Sequence, residues 1–255
     1  MFSGAGGLDL GFILAGHKII WANDLYADAV ATYRKNIGDH IALGDIKDIP
    51  SDNIPDCDIV IGGFPCQGFS VANVKRNEGD KRNSLYKELI RVIESKNPKF
   101  FLAENVKGLT NLAKGKVFEM ILSDFANIGY RVVYKVLNAA DFGVPQTRLR
   151  VFIVGVRNDM DVVYEFPEPS YSKEGDNGKK HWVGIGDALA GIPDPAKPAP
   201  TVTARGDDKG GVVILPHPNG LRRMTGRELA CVQSFPMEYE FCGKLSSIYR
   251  QIGNA

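Results

Sequence analysis

The sequence predicts an α/β fold: a doubly wound, mostly parallel sheet with helices on both faces and a small loop-rich module attached. Three observations predict it. Strand-like and helix-like segments alternate from residue 1 to about residue 156. Repeated strand-then-helix order favours parallel strands joined by covering helices. Glycine-bearing turns, Gly4-Ala5-Gly6-Gly7 and Gly62-Gly63-Phe64-Pro65-Cys66-Gln67, stand at strand ends, where open sheets of this kind bind ligands.

The elements follow in order from pattern. The first glycine turn leads into a helix from Leu8 to Ala15, because glycine allows the tight turn and an apolar stripe follows it. His17 to Ala22 reads as a strand. Leu25 to Asn36 reads as a helix, with Asp24 as its N-cap. Ile41 to Leu43 and Cys57 to Ile61 read as strands, Leu85 to Glu94 as a helix, and Phe100 to Ala103 as a strand. Val117 to Ile128 is helical, and Val132 to Leu137 and Val151 to Val156 are the closing strands. From 158 to 220 the texture turns to Pro, Gly and Asp with few helical stripes. Helical character returns at Thr225 to Gln233, where Thr225 and Glu228 fit a capping box. The expected division is 1–157 for catalysis and cofactor, 158–223 for target recognition, and 224–255 as a return segment on the first part.

Composition excludes more than it selects. The chain has 255 residues, 44% hydrophobic and 24% charged, which suits a soluble globular protein. Its net charge of +1 means that any basic surface must be local. Cys57, Cys66, Cys231 and Cys242 form no CxxC pair and no zinc spacing, and the histidines are scattered, so no metal site is expected. The thiols read as reduced and the compartment as cytoplasmic. No apolar run reaches membrane-span length, and no signal peptide is present. Both ends read as trimmed. The glycine turn starts at residue 4, where a strand of about five residues normally precedes such a turn, and the chain stops at Gly253-Asn254-Ala255.

The chemistry concentrates at the strand ends. Cys66 follows an apolar strand instead of sitting within it, as a packing cysteine would. A reactive cysteine works as thiolate, favoured by nearby positive charge, and the stretch after it carries Lys75, Arg76, Lys81 and Arg82. Residues 67 to 83 read as a loop that closes over a site, against the blander reading of a solvated loop. The glycine turn fails the GxGxxG template because position 9 is Asp9. Asp24 stands where an acidic residue would hold a ribose diol, and Asp45 could accept from an adenine amino group. Together they suggest an adenosine cofactor without a pyrophosphate, and S-adenosylmethionine fits. Glu104 emerges from the apolar Phe100-Phe101-Leu102-Ala103, where a carboxyl has a raised pKa and can donate a proton to a ring nitrogen. Arg148 and Arg150 alternate, so they share one face and could both reach the site. Taken singly, a surface glutamate and a surface ion pair are the commoner explanations.

In order and spacing these residues resemble the DNA cytosine-5 methyltransferases, of the bacterial restriction–modification type, over nearly the whole chain. The matching blocks are Phe2-Ser3-Gly4-Ala5-Gly6-Gly7, Gly62-Gly63-Phe64-Pro65-Cys66-Gln67, Glu104-Asn105-Val106, Gln146-x-Arg148-x-Arg150, Arg227-Glu228 with Gln233-x-Phe235-Pro236, and Gln251-Ile252-Gly253-Asn254-Ala255. The resemblance implies a Rossmann-like fold that binds S-adenosylmethionine through Phe2, Gly4, Gly6, Gly7, Leu8, Asp24, Leu25, Asp45, Ile46, Gly63, Pro65, Asn254 and Ala255. It implies catalysis by Cys66, Glu104, Arg148 and Arg150 on a cytosine flipped out of duplex DNA, with the loop after Cys66 closing on it. It also implies a monomer paired in function with a restriction endonuclease. Arg205, Lys209, Arg222 and Arg223 are candidates for phosphate contact. Other readings are a tRNA cytosine-5 methyltransferase of similar architecture, a catalytically silent DNA-binding relative, and a nicotinamide-dependent oxidoreductase. Intact Cys66, Glu104 and Arg148 argue against the silent relative, and the failed GxGxxG argues against the oxidoreductase.

Overall fold

The computed structural model describes residues 1–65, 85–189, 197–203, 217 and 222–255. Its first half alternates strand and helix: α1 (Gly7–Leu14), β1 (Ala22–Asp24), α2 (Ala27–Asn36), β2 (Ile41–Leu43), β3 (Ile59–Gly62), α3 (Leu85–Lys96), β4 (Phe100–Val106), α4 (Lys116–Asn127), β5 (Tyr130–Asn138) and β6 (Leu149–Arg157). The later elements are short: β7 (Tyr171–Ser172), β8 (Lys180–His181), α5 (Ile185–Ala188), α6 (Gly226–Val232) and α7 (Leu245–Asn254). β1 pairs with β2, and β3 with β4, both parallel. β6 lies antiparallel between β4 and β5, giving the order β3-β4-β6-β5. Residues 1–3 lie between the two groups of strands. The Met1 ammonium donates to the Ile61 carbonyl at 2.7 Å, and the Ser3 N–H donates to the Asn23 carbonyl at 2.9 Å.

Alternation along β4 sets the two faces. Phe101 and Ala103 are buried with Val60, Val151 and Ile153 under Leu89 and Ile93 of α3 and Phe118, Ile121 and Phe125 of α4. Leu102 points to the opposite side, where it lines an apolar groove with Phe152 of β6 and Leu8, Gly11 and Phe12 of α1. Phe101 stacks on Phe125 at 4.5 Å and meets Tyr130 edge-on at 5.2 Å. Its ring also lies across Gly155, its partner in the ladder, where a Cβ would stand 1.9 Å from the ring.

A second core joins α6 and α7 to α5 and the segment around Val202. Leu229, Val232, Phe235 and Ile252 pack there with Ile185, Ala199 and Val202. The expected capping box opens α6: Thr225 Oγ1 accepts from the Glu228 N–H at 3.3 Å, and the Glu228 carboxylate accepts from the Thr225 N–H at 2.8 Å. Contacts tie this segment back to the first half. The Tyr239 hydroxyl donates to the Ala5 carbonyl, and Thr32 Oγ1 donates to Gln251 Oε1 at 2.6 Å.

Three local expectations change. β1 lies at Ala22–Asp24, not His17 to Ala22, because its ladder partner β2 spans only Ile41–Leu43. α2 is capped by Tyr26, not Asp24. The Asp24 carboxylate accepts instead from Gly4 N–H at 2.7 Å and Tyr26 N–H at 2.9 Å, joining the glycine turn to the end of β1. β4 continues through Val106, because antiparallel β6 supplies partners beyond Ala103. Among the described residues, no helix is long and apolar enough to cross a membrane.

Gly155→Ala should therefore overpack the β4–β6 ladder and cost roughly 1–3 kcal/mol in chemical denaturation. Adding Phe101→Leu should recover part of that loss. Equal denaturation midpoints for wild type and Gly155→Ala would contradict this packing.

Candidate active site

Glu104 sits opposite Phe152 in the β4–β6 register, and Arg150 lies one diagonal step away on the same face. Arg150 Nε donates to Glu104 Oε1 at 2.8 Å, in a pair whose side chains are only 15% and 25% exposed. Burial pushes the Glu104 carboxyl above its ordinary range, while Arg150 and Arg148 pull the other way. The expectation of a raised carboxyl therefore holds in direction, although its neighbours include two cations. Burial also lowers both guanidinium groups, Arg148 to about 10.

Arg148 and Arg150 do share a face, but their partners differ. Arg148 donates to the Val202 carbonyl at 3.1 Å and to the Gly253 carbonyl at 3.3 Å. It fastens the segment around Val202 and the end of α7 to the start of β6, while Arg150 alone pairs with the carboxylate.

The turn leading to Cys66 is held against Glu104 from two sides. A Cβ on Gly63 would stand 3.1 Å from Glu104 Oε2, so glycine lets the carboxylate reach the turn. Asn105 is buried, and its amide donates to the Phe64 carbonyl at 2.7 Å. Phe64 is buried too and packs on Tyr86 with ring centres 6.3 Å apart. Pro65 is exposed at the end of this anchored stretch. Cys66, the loop from 67 to 83, Arg205 and Lys209 lie outside the described residues.

The glycine turn stands beside these groups, bracketed by Asp24 and Gly62. Gly4 has φ +54° with no atom within 4 Å of a built Cβ, so the backbone is open there next to the Asp24 carboxylate. Gly6 is left-handed at φ +88°, and a Cβ on it would strike Ile37 at 2.4 Å. Phe2, at φ +54°, and Leu8 are partly buried, while Leu25 is 57% exposed. Asp45 caps a short helical turn by accepting from the Lys47 N–H at 3.1 Å. Ile46 is buried in the main core, which leaves its backbone for any ligand. At the other end, Ala255 Cβ would be 3.0 Å from a Cβ on Gly7, and exposed Asn254 precedes it. Open backbone, two strand-end carboxylates and the neighbouring turn at Gly63, Phe64 and Pro65 form a cradle that fits an adenosine-bearing cofactor.

The family model for C-5 cytosine-specific DNA methylases matches residues 1–188 and 177–255. The chain belongs to this family. The methylase is 40% identical to the Type II methyltransferase M.NgoFVII of Neisseria gonorrhoeae, an alignment that covers all of this chain and 81% of the relative. It is 36% identical to M.BspRI of Lysinibacillus sphaericus, covering all of this chain and 77% of the relative. Solved structures share the fold. A DNA modification methyltransferase encoded within an E. coli prophage superposes with TM-score 0.79 at 23% identity, over all of this chain and 92% of that one. The Schizosaccharomyces pombe (S. pombe) Dnmt2 methyltransferase gives 0.74 at 21% identity, again over 100% and 92%.

Three amides of the methylase have partners that the sequence alone does not show. Asn105 is one. Gln146 and Gln233 are the others: Gln146, fully buried, donates to Gln233 Oε1 at 2.8 Å and accepts from the Val202 N–H at 3.0 Å. All three lie within the matched blocks, so the signal was present as motif but not as geometry. One phosphate candidate changes standing. Arg222 forms a two-pronged pair with Glu228 at 2.6 and 2.8 Å, and that arginine is the main reason the Glu228 carboxyl falls to about 2. Arg223 is exposed.

Asn105→Ala should cost about 1–3 kcal/mol, since the buried Phe64 carbonyl loses its donor. It should also slow methyl transfer at temperatures where the variant remains folded. Full turnover in a folded Asn105→Ala protein would contradict the anchoring role.

Proposed function

We propose that this DNA cytosine-5 methyltransferase acts on a cytosine flipped out of duplex DNA, through a transient bond between Cys66 and ring carbon C6. The observation that carries the reading is the Glu104–Arg150 pair, held at 2.8 Å beside the anchored turn that leads to Cys66. C5 of cytosine is a weak nucleophile. Addition of the Cys66 thiolate to C6 turns the ring into an enamine, and Glu104 donates its proton to N3 as that ring charge develops. Burial pushes the Glu104 carboxyl upwards, which favours its taking up the proton that it passes to N3, and Arg150 fixes the direction of the carboxyl. After C5 has been alkylated, loss of the C5 proton, departure of the Cys66 sulfur as thiolate and return of the N3 proton to Glu104 restore the aromatic ring and the enzyme. Flipping is needed because a stacked base cannot reach such a recess, and it costs a few kcal/mol.

S-adenosylmethionine fits the cradle and, when bound, supplies an electrophilic methyl group. Asp24 and Asp45 would hold its ribose and adenine, with Phe2, Gly4, Gly6, Gly7, Leu8, Leu25, Ile46, Gly63, Pro65, Asn254 and Ala255 around it. Residues 1–157 would carry catalysis, 158–223 target recognition, and 224–255 the return segment. Similarity to Type II methyltransferases favours a protective role beside a restriction endonuclease, in the cytoplasm with the chromosome. We take the enzyme as a monomer on one duplex.

Cys66→Ala should abolish methyl transfer and leave duplex binding within a few-fold of wild type. DNA carrying 5-fluorocytosine at the target should trap a covalent protein–DNA complex, because fluorine cannot depart as a proton. Methylation by Cys66→Ala would contradict the covalent route.

A further inference from the structure

We propose that Lys107, Lys114 and Lys116 form a preset phosphate-binding ridge for the DNA backbone beside the target base. The inference rests on the reading of duplex DNA as substrate and adds a surface to it. Lys107 and Lys114 fall in the turn between β4 and α4, directly after Glu104-Asn105-Val106, Lys116 is the first residue of α4, and all three are exposed. Val106 pairs with Arg150 in the ladder, so this turn begins next to the Glu104–Arg150 pair.

The turn is anchored. Leu109 is fully buried in the main core, and Leu112 and Ala113 pack against that core. Thr110 Oγ1 donates to the Lys107 carbonyl at 2.9 Å. Ala113, Lys114 and Gly115 are consecutively left-handed, at φ 50°, 59° and 87°. Non-glycine residues adopt that conformation only when their surroundings impose it. The lysines are thus displayed from a fixed backbone.

Charge distribution distinguishes this edge from the other. At the amino end of β3 and β4 the cations are neutralised: Lys96 by Asp56 at 3.4 Å, Lys99 by Asp58 at 2.8 Å, and Arg157 by Asp159 at 2.6 Å. At the carboxyl end Glu104 is taken by Arg150. Among the described residues, no carboxylate forms an ion pair with Lys107, Lys114 or Lys116, including Glu119 one turn along α4. Among the described residues, these lysines thus bring positive charge without a paired carboxylate to the edge that carries Glu104 and Arg150. A phosphodiester backbone matches it chemically, since lysine binds phosphate as a point charge. A base entering the site must bring its flanking phosphates across this edge.

The test is the salt dependence of binding to a mixed-sequence duplex, followed by fluorescence anisotropy from about 50 to 200 mM salt. Lys107→Gln, Lys114→Gln and Lys116→Gln combined should flatten the log–log slope by about 0.9 per lysine. Affinity should fall about equally on any sequence, with an unchanged thermal midpoint. Lys18→Gln, exposed on the amino side of β1, should leave the slope as it was. An unchanged slope in the folded triple variant, or an equal loss in Lys18→Gln, would overturn the ridge alone. Wild-type protein that binds no duplex would overturn the substrate reading, and the ridge with it.

Discussion

A carboxylate and a guanidinium, 2.8 Å apart and mostly removed from water, are the interaction around which the candidate site is arranged. Neither charge would be stable there alone. Removing one partner of such a pair costs about 3–5 kcal/mol, mainly because the other is left buried and unpaired. The antiparallel β4–β6 register makes the pair possible by bringing Arg150 diagonally beside Glu104. That register is supported on the opposite face of the sheet, where Phe101 fits only over Gly155. Packing in the core and charge at the site are thus two sides of one ladder.

A second set of polar contacts joins the segment around Val202 to that ladder. Arg148 reaches Val202 and Gly253, and Gln146 links Val202 to Gln233. These groups sit inside or beside an apolar core, where an unsatisfied amide would be costly and a satisfied one gives direction. That segment therefore meets the strand bearing Arg150 through hydrogen bonds of fixed geometry.

Strand and helix order was legible in the sequence because apolar period is local. Boundaries were not, because they depend on which neighbour supplies hydrogen bonds. Ile19, Ile20 and Trp21 look like strand by residue type, yet the ladder begins at Ala22, where Ile41 lies opposite. Glu104 reads as lying past the end of a strand until β6 is known to run beside it. Site residues were legible as motifs, whereas their partners were not. Arg148 and Arg150 look equivalent by spacing, but Val202 and Gly253 claim the first from far along the chain. Arg222 looks free for phosphate until the return segment folds Glu228 against it. The basic turn after β4 carries no motif, and its character emerges only when acids are found beside lysines at one edge and not the other.

The account turns on the protonation of one buried carboxyl, and carboxyl-labelled glutamate NMR can follow it directly, with Glu104→Gln assigning the signal. The Glu104 resonance should titrate above the ordinary value of about 4.3. It should move higher still in Arg150→Met, where the neutral acid has lost its opposing cation. An inflection at or below the ordinary value, unmoved by loss of Arg150, would contradict the arrangement described.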